Sequence, residues 1–456
     1  MPTPFLVTAS QALLEIQGGL QRLEFPYLHV DSEGTILAIH AEDPRTDPTL
    51  EHLAVHNLGN QLLLPGFINA HSHAFQRKIR GLTGRRGHGD PSSFWSWRQA
   101  MYSSANALDP EGVQAASRSC FSEMLAAGIT CVGEFHYLHH LPDGQNYADP
   151  NELSRRVLAA ADEVGIRLAL LEVYYARAGE GRDPLPEQRR FCDRSLDHYF
   201  ARVDDLSADL GNNFGAESRS KAPMRTLGLA PHSVRAVGRK DLHEIARYAD
   251  AAGLVVHAHV SEQRQENEQC AAEYGMTPTQ VFAEAGCLQR PGKFTAVHAI
   301  HVDAKDHQLL ANQNVCACPT TEADLGDGIV PASRYLSAGT TLSLGSDSNS
   351  VIDLIQEARH LEMNERLANQ ARLRLAGDDG QVVPTLVDAA TRGGAAALGR
   401  PELGRLAIGC PFDAVVIDLR HRSLEDVPAK FALDALFLAG SSAPVAQVWI
   451  GGQRRL

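Results

Sequence analysis

The sequence predicts an α/β fold, a (β/α)₈ TIM-like barrel accompanied by a small β domain built from both ends of the chain. Three observations carry this expectation. Short apolar runs alternate with helical patterns through the middle of the chain, the texture of βα units around a parallel sheet. The two ends share a different texture, short β-like runs separated by turn residues. Imidazole and carboxylate side chains stand at the ends of several central runs, the face on which such a barrel gathers its chemistry.

Taken in order, residues 1–62 carry the β-like stretches LLEIQGGL and GTILAIHA, and residues 401–456 repeat the pattern in DAVVIDL and AQVWIGGQRRL. The ends are therefore expected to share one domain beside a catalytic barrel over 63–400. The barrel strands are read at LLLPGFINA (62–70), ITCVGEF (129–135), RLALLEVYY (167–175), TLGLAP (226–231), LVVHAHV (254–260), FTAVHAI (294–300), NVCACPT (314–320) and TLSLGSD (341–347). Between them, Asp109 and Pro110 mark a helix start, Val113, Ala116, Cys120 and Met124 share its face, and Gly128 ends it. Asp149, Pro150 and Gly165 repeat the device. The sparsely periodic segment from Ala74 to Leu108 is long for a connection, and the aromatic residues of SFWSWR predict that it is ordered and functional. The polar stretch 208–221 reads as a surface loop.

Composition narrows the function classes. With 456 residues and 44% hydrophobic content the chain can bury a large core. A formal charge of -13 disfavours nucleic acid and acidic membrane surfaces as partners, but two local arginines suffice for an anionic substrate. The start of the chain lacks a basic stretch followed by an apolar one, and no segment offers the roughly 20 apolar residues of a membrane span, so a cytoplasmic protein is expected. The eight cysteines form no CxxC pair, which argues against both a disulfide framework and a cysteine zinc site.

His71 and His73 follow the first run directly. An HxH pair alone is weak, but His257 and His259 end the fifth run, His298 and His301 the sixth, and Asp347 the eighth. Such side chains at four strand ends are hard to explain by packing, since buried polar groups need partners. Three histidines and an aspartate suit one divalent transition metal, zinc first and iron second. A cation there would lower the pKa of a bound water and so supply hydroxide. His71, His73, His259 and Asp347 are the expected ligands, with Asp347 also accepting the water's proton. Residues two apart on a strand face the same side, so the choice of His259 over His257 stays open. Glu262, three residues beyond His259, is read either as a proton shuttle or as a helix-start acid. His298 is read as stabilising charge at the reacting centre or polarising the water.

The segments LLPGFINAHSHAFQR, FWSWR, GEFHYLHH, APHSVR, HAHVSEQ, VHAIHVD, TTEADLGDGI and LGSDSN resemble, in order, the amidohydrolase superfamily and, within it, the formimidoylglutamate deiminases of bacterial histidine degradation. That resemblance implies a metal-holding barrel with a composite β-sandwich from both termini, a homodimer, and hydrolytic deimination of N-formimino-L-glutamate to N-formyl-L-glutamate and ammonia. It carries the metal ligands onto His71, His73, His259 and Asp347, and the catalytic carboxylate and histidine onto Glu262 and His298. It also implies that Gln76, Arg98, Tyr137, His232 and Arg235 hold the small dicarboxylate substrate. Arg98 and Arg235 suit that task, because a guanidinium binds a carboxylate through two parallel hydrogen bonds. Asn349 departs from the pattern, which leads one to expect histidine there. APHSVR has no lysine to bridge a second metal, so one metal is expected. Two alternatives remain: a related deaminase of a purine or pyrimidine ring, and a noncatalytic scaffold of the same fold.

Overall fold

The computed structural model describes residues 3–82, 94–211, 222–440 and 444–456. Its centre is a sheet of eight parallel strands in sequential order: β1 (Phe67–Ser72), β2 (Ile129–His136), β3 (Arg167–Tyr174), β4 (Arg225–Pro231), β5 (Val256–Val260), β6 (Phe294–His298), β7 (Asn314–Ala317) and β8 (Thr341–Leu344). Helices cover its outside, so β1, β2 and β3 are buried along their whole length and read as unbroken apolar runs rather than alternating ones. The sheet curls until its ends meet. Ser72 forms a parallel bridge with Asp347 just beyond β8, where the Asp347 N–H donates to His71 O at 3.0 Å and the His73 N–H to Asp347 O at 2.9 Å.

All eight sequence runs lie on these strands, but the first one divides. Gln61–Pro65 joins a sheet made by the chain ends, and only Phe67–Ser72 enters the barrel. Gly66 makes the break, because a Cβ there would fall 2.3 Å from Thr130 Oγ1. The helix Pro110–Ala126 follows its sequence reading, with the Asp109 carboxylate accepting the Gly112 N–H at 2.7 Å and Gly128 in the left-handed region behind it. The next helix spans Glu152–Val164, capped by Asn151 rather than Asp149, whose carboxylate instead accepts the Asn151 N–H at 2.8 Å. In the long segment after β1 the described residues form a 3₁₀ turn over Ala74–Ile79 and a helix over Phe94–Asn106. Residues 83–93 and most of the stretch read as a surface loop (212–221) lie outside the described residues.

The chain ends interleave. Ala414–Asp418 runs antiparallel to Gln61–Pro65, pairing Val415 with Leu64 and Ile417 with Leu62, and Gln11–Ile16 lies on the other side of Gln61–Pro65. A second sheet carries Phe5–Thr8, and the Phe5, Phe412 and Trp449 rings pack together with centroids 5.7–6.1 Å apart. All eight cysteines are free, and among the described residues no helix is long and apolar enough to cross a membrane.

One buried ion pair ties the terminal sheets to the barrel. Arg167, at the start of β3, bonds the Asp413 carboxylate through Nε at 2.6 Å and Nη2 at 3.0 Å, and Asp413 also accepts the Gly451 N–H at 2.7 Å. Removing one partner leaves the other charge buried and uncompensated. Asp413→Ala is expected to destabilise the fold by about 3–5 kcal/mol. Urea unfolding followed by circular dichroism checks this; a loss below about 1 kcal/mol, the range of an exposed pair, would contradict it.

Candidate metal centre and catalytic site

Four side chains meet above the carboxyl ends of the strands. His71 and His73 leave the end of β1, His259 the end of β5, and Asp347 the turn after β8; each has a potential ligand atom within 4.8 Å of the other three. His71 Nε2 stands 3.2 Å from His73 Nε2, and Asp347 Oδ1 stands 3.4 and 3.2 Å from the two. Gly345 makes the approach possible, since a Cβ there would come within 2.9 Å of both His71 Cβ and Cys318 Sγ.

The donor chemistry of this cluster fits a divalent cation. His73 Nδ1 bonds Phe135 O at 2.9 Å and His259 Nδ1 bonds His232 O at 3.0 Å. Those carbonyls accept only, so each Nδ1 carries the hydrogen and each Nε2 presents a lone pair to the cluster. Burial pushes the His71 imidazole down to about 3 and, with His232 and the neighbouring histidines adding, holds His259 well below its ordinary value. Burial opposes ionisation of Asp347, but the adjoining His71, His73 and His298 rings outweigh it and hold the carboxyl well below its usual range. Neutral imidazoles gathered around a carboxylate are a donor set suited to a divalent cation.

His257 is inward-facing but one layer lower. Its Nε2 bonds Ala397 O at 2.8 Å, in the short helix Arg392–Ala397 that packs under the barrel at Gly393 and Gly394. The two histidines thus share a side of β5 and serve different layers. His301 bonds Asp327 O at 2.9 Å outside the cluster.

His298 and Glu262 flank the four. His298, in the left-handed region with φ 69°, sets Nε2 3.6 Å from Asp347 Oδ2 and 3.8 Å from Glu262 Oε1. Glu322 holds it from behind, with Oε1 3.3 Å from His298 Nδ1 and 2.8 Å from the Cys318 N–H it accepts. Glu262 precedes the helix Arg264–Tyr274 and its cap Gln263. Its Oε2 accepts from Arg235 Nη2 at 3.4 Å, while its own N–H reaches Glu266 Oε2 at 3.3 Å. Burial pushes the Glu266 carboxyl up to about 7, against the pull of Arg235.

The five other residues singled out in the sequence line the same cavity, together with Trp97, Tyr102, Tyr175 and Phe191. Gln76 donates to Tyr137 Oη at 2.8 Å. His232 lies against Tyr175 and His259, each with ring centroids 4.8 Å away, and burial, with Arg235 and Arg98 adding, keeps it neutral. Arg98, from the helix Phe94–Asn106, donates to Tyr102 Oη and to Tyr175 Oη.

Glu322, Glu266, Tyr102, Tyr175 and Gln188 were not singled out by sequence. Glu322 does fall within the quoted TTEADLGDGI, but nothing local marks it as a support for His298. Asn349, seen in the sequence only as a departure, closes the seam under the ligands: its amide donates to Ser72 Oγ, His73 O and Asp347 O at 3.0–3.2 Å and accepts from Ser346 Oγ at 2.7 Å. In a second histidine group, His140, Asp193 and His198, the carboxylate is already engaged, because Arg202 bonds both Asp193 oxygens at 2.8 Å.

Residues 62–455 match the model of the amidohydrolase family. The chain is 39% identical to a formimidoylglutamate deiminase of Pseudomonas aeruginosa over 86% of its own length and 84% of that protein's. It is 29% identical to a 5-methylthioadenosine/S-adenosylhomocysteine deaminase of Natronomonas pharaonis, covering 86% and 80% respectively. Among solved structures it is similar to an amidohydrolase from Brucella melitensis, with TM-score 0.86 and 34% identity over 99% of this chain and 94% of the other. Barrel, ligand cluster and family match agree: the chain belongs to the amidohydrolase family.

Proposed function

We propose that this protein hydrolyses the formimino group of N-formimino-L-glutamate, releasing ammonia and leaving N-formyl-L-glutamate. The observation that carries this reading is the presence of Arg98 and Arg235 in the cavity that also holds His73, His259, Asp347 and Glu262. A small substrate bearing two carboxylates complements two half-buried guanidinium groups, whereas a purine or pyrimidine ring offers them no charge. The similarity to the Pseudomonas aeruginosa deiminase supports the same choice.

One divalent metal, with zinc the best fit to three imidazoles and a carboxylate, would be held by His71, His73, His259 and Asp347. A cation bound there would lower the pKa of a water towards neutrality and so supply a nucleophile. Asp347 Oδ2, 3.6 Å from His298 Nε2, takes the first proton of the attacking water. Glu262 delivers protons to the imino nitrogen. The water's oxygen ends in the formyl group, and both its hydrogens end in ammonia. His298, held by Glu322, steadies the oxygen as charge develops on it. Arg235 serves two groups, gripping a carboxylate while keeping Glu262 turned into the cavity.

Ammonia release from formiminoglutamate, with guanine, cytosine and adenosine offered in competition, tests the substrate directly; turnover of a ring alone would overturn the proposal. Metal analysis of reconstituted protein is expected to give one equivalent per chain. Asp347→Asn should abolish turnover, because the amide cannot accept the proton. Glu262→Gln should keep the metal and slow the reaction by about a hundredfold or more. Unchanged turnover with metal retained would return Glu262 to a structural role.

Asn349→Ala should weaken metal affinity by about tenfold or more, since the ligands' backbone seam loses its tie. Chelator competition measures this, and unaltered affinity would make Asn349 dispensable to the site. Arg98→Met and Arg235→Met should each couple to one substrate carboxylate. Double-mutant cycles against singly amidated analogues are expected to give about 1–3 kcal/mol of coupling. Coupling near zero at both arginines would remove the reason for choosing formiminoglutamate over a ring substrate.

A further inference from the structure

Beside Arg98, one buried hydrogen-bond arrangement has more donors than the protein consumes. Gln188 lies in the 3₁₀ turn Pro186–Phe191 and is 1% exposed. Its Oε1 accepts the Leu185 N–H at 2.8 Å, which settles the orientation of the amide. Its two Nε2 hydrogens therefore go the other way, to Tyr102 Oη at 2.9 Å and Tyr175 Oη at 2.8 Å. The same two phenol oxygens receive Arg98, through Nε on Tyr102 and through Nη2 at 3.0 Å on Tyr175. Arginine only donates, so the direction of these bonds is fixed.

Each phenol oxygen thus accepts two N–H groups, which fills its acceptor capacity and leaves its own proton to be given away. Among the described residues neither proton has a protein acceptor, and both rings line the cavity above the metal cluster. Tyr102 and Tyr175 are 5% and 3% exposed, so bulk water is a poor substitute. The acceptor the arrangement is built for is a ligand. Two O–H donors tied to one amide nitrogen and flanked by a guanidinium match a carboxylate, which supplies two acceptor oxygens and the countercharge.

We propose that Tyr102 and Tyr175, preset by Gln188, form a carboxylate-binding pair that receives the substrate carboxylate beside Arg98. The identity of that carboxylate rests on the formiminoglutamate reading; the donor count does not. Gln188 is a positioning residue, acting only through the phenols. The pair also discriminates. An amide in place of the carboxylate would bring an NH₂ donor against hydroxyls that must themselves donate, so repulsion is added to the lost charge.

The test uses the full chain loaded with metal, and the variants Tyr102→Phe, Tyr175→Phe and Gln188→Glu. The last keeps the shape but turns two donors into an acceptor, so the phenol protons swing away from the cavity. Each variant is expected to raise KM for formiminoglutamate by about tenfold to a hundredfold, the worth of hydrogen bonds to a charged group, with kcat close to that of the unsubstituted protein and metal content intact. Unchanged KM in both phenylalanine variants would overturn the proposal while leaving the deiminase reading in place. If the unsubstituted chain releases no ammonia from formiminoglutamate, the deiminase reading fails on its own, and the pair is judged by calorimetric binding of glutarate. Glutarate binding that weakens tenfold or more in the doubly substituted Tyr102→Phe, Tyr175→Phe protein supports the pair. No binding, or binding the double variant leaves unaltered, rejects it.

Discussion

Closure of the barrel between its first and last strands is the constraint on which the site depends. The two backbone bonds between His71, His73 and Asp347 join residues nearly 280 positions apart in sequence, and three of the four candidate ligands are the residues that make this seam. Asp347 has φ 43° and Asn349 φ 58°, a backbone region that costs a non-glycine residue of order 1 kcal/mol or more. The Asn349 amide offsets that cost by bonding Asp347 O, His73 O and Ser72 Oγ. Metal geometry and sheet closure are therefore one structural fact. A side chain at 349 must reach the same oxygens from a left-handed backbone, and asparagine tolerates that conformation better than most residues.

Around this seam the charges that flank the ligand cluster have counterparts one step further out. Asp347 faces the ligand histidines, while His298 is paired with Glu322 and Glu262 with Arg235, which in turn faces Glu266. Ser261, His298 and Ala299 also lie in the left-handed region, so the chain turns sharply after β5 and β6 and aims side chains inward that a straight strand would carry past the cavity. These residues stand at the reacting end of the barrel, while the opposite end is closed by close backbone packing of Gly393 against Leu342 O and Gly394 against Ile68 O.

What could be read from sequence follows from the range of the interactions involved. Parallel strands buried on both faces leave unbroken apolar runs, so all eight were visible, and a histidine ending such a run projects from the catalytic face whatever its neighbours are. The choice between His257 and His259 was not visible, because period two puts both inward and only the position of Ala397, far along the chain, separates their layers. The same holds for the break at Gly66, which is set by Thr130 on the neighbouring strand. Glu322, Glu266, Gln188, Tyr102 and Tyr175 act through partners on other elements, and an isolated glutamate, glutamine or tyrosine carries no pattern that announces such a partner.

The division between what the barrel holds and what its loops hold has a consequence for specificity. The ligands, His298 and Glu262 come from strand ends and their immediate turns, and this part of the site sets the reaction class. Arg98 and Tyr102 come from a helix in the long connection after β1, Gln188 from a 3₁₀ turn after β3, and Arg235 from the turn after β4. These elements meet one another above the metal without belonging to the sheet, so they can differ between relatives without disturbing the closure that holds the ligands. The overall charge of -13 does not oppose an anionic substrate in such a design. Surface charges are screened within about 10 Å at ordinary salt, whereas guanidinium and phenol groups lining the cavity would act on a bound ligand at contact distance. Recognition of the proposed dicarboxylate would then depend on a few donors gathered in the cavity, and the sign of the whole molecule has little bearing on it.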